Sequence, residues 1–151
     1  MANMIVRFEA DYAFLNNSFP CSVVWEGVEY QSVEHAFQAS KTIDVEQSEA
    51  IRNAPTPLEA YHLGMRVTLR PNWNESRFDV MLGCLRAKFR DPVLREKLLA
   101  TGETTKLVND TYVSFTHNPW FRRDRVWGMY DGTGENRLGE LLMQIRKELK
   151  G

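Results

Sequence analysis

Apolar positions along this chain follow two different periods. Val23-Val24-Trp25 and Val28-Glu29-Tyr30 are short runs on either side of Glu26-Gly27, a spacing that predicts a hairpin over residues 22–30. Phe78, Met81, Leu82, Leu85 and Phe89 recur at three- and four-residue steps and predict a helix over about 74–89 with one buried stripe. Leu138, Leu141, Leu142, Ile145 and Leu149 repeat that step and predict an amphipathic closing helix over 136–150. Between them lie start and stop signals. Ser32 fits an N-cap with Glu34 in the first turn, and a short helix is expected over 45–53. Thr56-Pro57-Leu58-Glu59 combines a cap, a first-turn proline and an acid, and Gly64 is the expected stop. Asp91-Pro92 opens another helix that ends before Gly102. Residues 67–69 and 106–108 read as short strands, and 113–131 as irregular and aromatic-rich. Helices dominate a small sheet, so the expectation is an α+β fold, a single domain over 1–151.

Composition narrows this picture only a little. A chain of 151 residues suits one core, and a net charge of -1 gives no global attraction to nucleic acid or membrane. A polyanion would have to be met by a local patch. Cys21 and Cys84 lack metal-ligand spacing and are expected as free thiols in a reducing compartment. Met1 to Arg7 has no apolar run after a basic start, and no stretch approaches the roughly 20 apolar residues that cross a bilayer. The expectation is a cytoplasmic protein without a membrane partner. His35, His62 and His117 are scattered, which predicts no metal site, and there is neither a Gly-x-Ser-x-Gly elbow nor a P-loop.

The candidate chemistry starts at Ser32-Val33-Glu34-His35-Ala36-Phe37-Gln38-Ala39-Ser40-Lys41. Glu34 and Lys41 stand two helical turns apart with Gln38 between them, so all three heads project from one face. A carboxylate and an amine in one cleft can act on a sugar; the same spacing also suits a surface helix with an acid near its positive end. Asp124 lies among Arg122, Arg123 and Arg125, a setting that holds it ionised, though a surface ion cluster fits as well. Trp127 beside Gly128 offers a flat surface that could stack on a base, or simply a core aromatic. Gly134, Asn136 and Arg137 open the last helix, where free amides can bind an anion; a helix cap explains the glycine equally well. Asn17, after Phe14-Leu15-Asn16, could bond a base or ribose or shape a turn, and Trp73 could be only a hydrophobic staple.

Taken in order, these residues resemble the NADAR, or YbiA-like, family. The resemblance runs through Phe14-Leu15-Asn16-Asn17, Gly27-Val28-Glu29-Tyr30, Ser32 to Lys41, Ala54-Pro55-Thr56-Pro57, Leu63-Gly64, Leu69-Arg70, Asn72-Trp73 and Ala87-Lys88-Phe89. It closes with Leu98-Leu99-Ala100-Thr101-Gly102, Trp127-Gly128 and Gly134-Glu135-Asn136-Arg137-Leu138-Gly139, and so covers nearly the whole chain. It implies a cofactor-free hydrolase of N-glycosidic bonds in ribosylated compounds. Two activities go with the family: removal of ADP-ribose from guanine in nucleic acid, opposing a toxin-like DNA ADP-ribosyltransferase, and cleavage of early phosphoribosylamino intermediates of riboflavin biosynthesis. The family's polar site residues fall on Glu34, Lys41 and Asp124, with Trp73 and Trp127 as aromatic partners and Asn17, Gln38, Gly128, Gly134, Asn136 and Arg137 for binding. Ser18 stands where the family often has an aromatic. The segment 109–117 is longer than in riboflavin-type members, and with Arg122, Arg123 and Arg125 it tilts the expectation toward a nucleic-acid-linked substrate. A non-catalytic ADP-ribose or NAD reader, or a nucleic-acid adaptor using the arginine patch, are the competing classes.

Overall fold

Where the sequence carries a capping side chain, the backbone turns into helix. In the computed structural model, which describes residues 3–111 and 124–151, Ser32, Asp44 and Thr56 each accept a hydrogen bond from the amide three residues on. The elements in chain order are β1 (Met4–Ile5), a 3-10 turn (Ala10–Leu15), β2 (Val23–Trp25), β3 (Val28–Tyr30), α1 (Val33–Ala39), α2 (Val45–Arg52), α3 (Pro57–Gly64), α4 (Trp73–Lys88), α5 (Pro92–Ala100), β4 (Lys106–Leu107) and α6 (Arg137–Lys150). This is the mostly helical α+β arrangement expected, and the helix bounds fall within two residues of those read from the pattern. Contacts divide the chain into two compact units, Asn17–Asp91 and Met1–Asn16 with Pro92–Gly151.

In the first of these units, β2 and β3 pair antiparallel with Val24 opposite Glu29. Their turn has positive φ at both Glu26 (50°) and Gly27 (80°), the primed geometry that matches strand twist. The hairpin covers one side of α1, whose seven residues are all buried, and α2, α3 and α4 close the rest. Trp25 lies over Gly83 of α4, where a methyl group would collide with its ring, and its indole N–H donates to Ser40 Oγ at 3.1 Å. His35 is pinned at both ring nitrogens: Nε2 donates to Ala54 O at 3.0 Å, which leaves Nδ1 to accept from Ser32 Oγ at 2.7 Å. The strand expected over 67–69 does not form. That segment is instead tied to residues 41–47, with Thr68 N donating to Gln47 Oε1 at 3.0 Å and Arg70 N to Lys41 O at 2.7 Å.

In the other unit, β1 and β4 pair in parallel, Met4 with Lys106 and Ile5 with Leu107. Two residues of β1 were too short a run to read from sequence. α6 packs Leu138, Leu142 and Ile145 inward against α5 and β4. Arg146 joins that buried face: its Nη2 donates to Thr105 O at 2.7 Å and its Nη1 to Thr101 Oγ1 at 2.9 Å, so the charge is buried with acceptors. Among the described residues no helix is long and apolar enough to cross a membrane.

One polar side chain breaks the expected apolar stripe of α4. Lys88 is fully buried, with its ammonium 5.3 Å from the Phe89 ring and 5.7 Å from that of Phe19. Loss of hydration lowers its pKa from 10.5 to about 8. The unfolded chain therefore holds this proton more tightly than the folded one. The penalty is complete below pH 8 and fades as pH rises toward 10.5. Relative to a Lys88→Met variant, the wild-type protein is expected to gain stability on the order of 3 kcal/mol across that interval. Urea midpoints of both proteins, measured from pH 7 to 10.5, check it; parallel pH profiles contradict it.

Candidate active site

The polar face of α1 is built around a carboxylate that the fold keeps out of water. Glu34 is only 9% exposed, yet Gln38, one turn on, donates Nε2 to Glu34 Oε1 at 2.7 Å. The Glu34 amide donates to Asn17 O at 3.0 Å, which brings Asn17 to the start of the same helix. Asn17 is itself buried and donates Nδ2 to the Met81 sulfur at 3.6 Å, while its Oδ1 has no hydrogen-bond partner.

Lys41 was expected two turns along an unbroken helix. The helix ends instead at Ala39, where the Ser40 hydroxyl bonds back to Ala36 O at 2.7 Å, and Lys41 follows in a tighter turn with its amide on Gln38 O. The coupling to Glu34 survives. Burial lowers the Lys41 pKa below its ordinary 10.5, and the charge of Glu34 works in the opposite direction. The ammonium lies 6.0 Å from the Phe37 ring, whose other neighbour is Trp73, 5.2 Å between centroids and tilted by 53°. Trp73 is thus a buried aromatic at the first turn of α4, in contact with the same helix as Glu34. Cys84, also on α4, is pushed up to about 12 mainly by burial, with Glu26 and Glu34 adding to the shift, so its thiol stays protonated and is no nucleophile.

Gly64 is a residue that sequence reading treated only as a helix stop. It lies against the Gln38 carboxamide, and a methyl group there would overlap Gln38 Oε1. That oxygen has no hydrogen-bond partner among the described residues. The fold accepts an unsatisfied buried acceptor in order to keep the amide nitrogen on Glu34, an arrangement more often found at working sites than in passive cores.

The remaining candidates belong to the other unit. Asp124 Oδ1 accepts the amides of Val126 (2.9 Å) and Trp127 (2.8 Å), so this carboxylate shapes the turn that carries Trp127. Arg125 donates to Thr133 Oγ1 at 2.9 Å and lies over the Tyr130 ring; Arg122 and Arg123, the other two arginines expected around Asp124, lie outside the described residues with His117, Trp120 and Phe121. Trp127 is half-buried. Gly128 is buried against Asn109 O, and the exposed Gly134, at φ 142°, has its backbone against Gly128 O; neither position has room for a side chain. The expectation of free amides at the start of α6 also fails. The amides of Glu135, Asn136, Arg137 and Leu138 already donate to the carbonyls of Arg125, Gly128, Val126 and Trp127. The Asn136 carboxamide accepts from Asn109 N at 2.9 Å and donates to Leu107 O at 3.0 Å, and Arg137 pairs with Glu135 at 3.1 Å. These contacts hold the loop to the helix.

Residues 6–150 match the model of the NADAR domain. The chain belongs to the NADAR family. It is 35% identical to the N-glycosidase YbiA of Escherichia coli over 99% of this chain and 91% of that protein. The solution NMR structure of E. coli YbiA superposes with a TM-score of 0.80, covering 99% of this chain and 87% of that one. A riboflavin biosynthesis protein of Vibrio vulnificus is 34% identical over 99% of this chain, which spans only 40% of that longer protein. For this NADAR chain the relatives' names support N-glycosidase chemistry in general.

Gly64→Ala is expected to destabilise the protein by roughly 1–3 kcal/mol, because the buried Gln38 has little room to yield. Urea unfolding checks this; a loss within about 0.5 kcal/mol, the range of an ordinary surface change, contradicts it.

Proposed function

We propose that this chain is an N-glycoside hydrolase that releases ADP-ribose from guanine in nucleic acid. The reading is carried by the buried Glu34 held by Gln38 and coupled to the desolvated Lys41, placed beside the Phe37–Trp73 pair. Cleaving a bond between C1 of ribose and a base nitrogen builds positive charge on the sugar. A fixed carboxylate stabilises that charge, and in a site shielded from water it acts strongly. In the proposed cycle the Lys41 ammonium gives its proton to the departing base nitrogen as the C–N bond breaks. Water bonds to C1 and its proton goes to Glu34, and transfer from Glu34 to Lys41 restores both groups. In a variant of the cycle the neutral Lys41 amine adds to C1 of the opened sugar, the C1–base bond breaks as the base nitrogen leaves with a proton, and one water then hydrolyses the resulting Schiff base to the free sugar aldehyde and the Lys41 amine. The lowered pKa of Lys41 favours either role, since it eases both proton donation and formation of the free amine.

The preference for guanine in nucleic acid rests on the family resemblance, the length of segment 109–117 and the arginines at 122, 123 and 125. A second reading, cleavage of a phosphoribosylamino intermediate of riboflavin biosynthesis, is favoured by relatives in V. vulnificus and Zea mays that are named riboflavin biosynthesis proteins. Assaying both substrates on one preparation separates the two.

Glu34→Gln and Lys41→Ala are each expected to lower kcat by 100-fold or more on ADP-ribosylated guanine DNA. Full rates in both folded variants would sink the scheme, and borohydride trapping distinguishes the Schiff-base route. Because the charge of Glu34 opposes the lowering of Lys41, Glu34→Gln is expected to bring the Lys41 pKa down further. A pH titration of the 15N-labelled amine checks the direction.

A further inference from the structure

Four buried side-chain atoms stand without a hydrogen-bond partner among the described residues: Asn17 Oδ1, Gln38 Oε1, Arg70 Nε and Arg77 Nε. All belong to the unit that carries Glu34. Gln38 is accounted for by its packing on Gly64. The two arginines are not explained by anything in the fold. Neither enters an ion pair among the described residues, and Arg77 has only the Phe78 ring, 4.7 Å away. In each of these half-buried side chains the Nε–H is shut away from water without an acceptor among the described residues, a donor that an anion's oxygen would satisfy.

Their positions agree with that. Arg70 begins beside the proposed proton donor, since its amide is bonded to Lys41 O at 2.7 Å. Arg77 lies one helical turn after Trp73 and one before Met81. Trp73 packs on Phe37, and Met81 accepts from Asn17, whose carbonyl holds the Glu34 amide. Arg77 is therefore bracketed by two contacts that both land on the Glu34–Phe37 stretch. The third unexplained atom, Asn17 Oδ1, is an acceptor and asks for a hydroxyl or amine donor.

We infer that Arg70 and Arg77 form a clamp for the phosphate oxygens of a phosphorylated ribosyl ligand, with Asn17 Oδ1 taking one of its hydroxyl groups. This rests on the hydrolase reading for the choice of ligand, but it is a statement about binding and stands apart from cleavage. Arginine suits the task because its planar fork meets two phosphate oxygens at once. Among the described residues no side-chain hydrogen bond or ion pair holds either head, which leaves both to a ligand.

The test is calorimetric titration of the full chain with ADP-ribose, inorganic pyrophosphate and adenosine. Arg70→Ala and Arg77→Ala are each expected to weaken ADP-ribose and pyrophosphate at least tenfold and to leave adenosine unchanged. Arg70→Lys and Arg77→Lys recover part of the loss and replace the alanine variants if those melt early. Unchanged affinity in the variants, equal weakening of adenosine, or failure of the wild-type chain to bind either phosphorylated probe would overturn the clamp. Arginine-dependent binding without cleavage of any N-glycoside keeps the clamp and removes the hydrolase reading. Cleavage with KM indifferent to both arginines does the reverse.

Discussion

The hydrogen bond from the Gln38 amide to the Glu34 carboxylate sets the terms for the unit around it. A carboxylate that is nine-tenths buried is tolerable only with donors aimed at it, and one such donor comes from the same short helix. That requires α1 to be enclosed on every side, because a helix presenting one face to solvent would let water compete for the carboxylate. The hairpin and three helices supply the enclosure. The requirement then passes outward. Gln38 needs Gly64 on α3, Trp25 needs Gly83 on α4, and the Ser40 hydroxyl joins the hairpin indole to the carbonyl at the end of α1. Each of these contacts is a small adjustment that lets one acid sit where an acid alone would not be stable.

The other unit solves a different problem, how to keep an irregular loop in register with a helix. Asn136, in a left-handed conformation at φ 50°, ties the backbone at both 107 and 109, and the loop carbonyls of 125–128 take the first amides of α6. Asp124 completes the turn by accepting two amides. A helix start that looks open to an anion in sequence is closed by its own chain.

Local signals proved readable where the deciding atoms are neighbours. Cap side chains at Ser32, Asp44 and Thr56, the Glu26-Gly27 turn and the stripes of α4 and α6 all act within a few residues. The short parallel pair of β1 and β4 escaped notice because its pairing joins residues about a hundred positions apart and each strand has two residues. The site divides the same way. The spacing of Glu34, Gln38 and Lys41 marked the polar face of α1, yet not where the helix stops, which depends on a serine hydroxyl choosing a carbonyl. Burial of Lys88 and Arg146 contradicts the ordinary preference of charged residues and is set by partners far along the chain. Gly64 carries two meanings, a helix terminus and a space for an amide, and only the first is local.

The seam between residues 41–47 and 68–70 carries a further implication. Gln47 Oε1 gathers the Thr42 hydroxyl and the Thr68 amide, and Arg70 N holds the Lys41 carbonyl. The backbone of the amine is thus anchored to the connection between α3 and α4 rather than to the helix that precedes it. Insertions or deletions in that connection would therefore shift the backbone of the amine before they disturbed the buried face of α1.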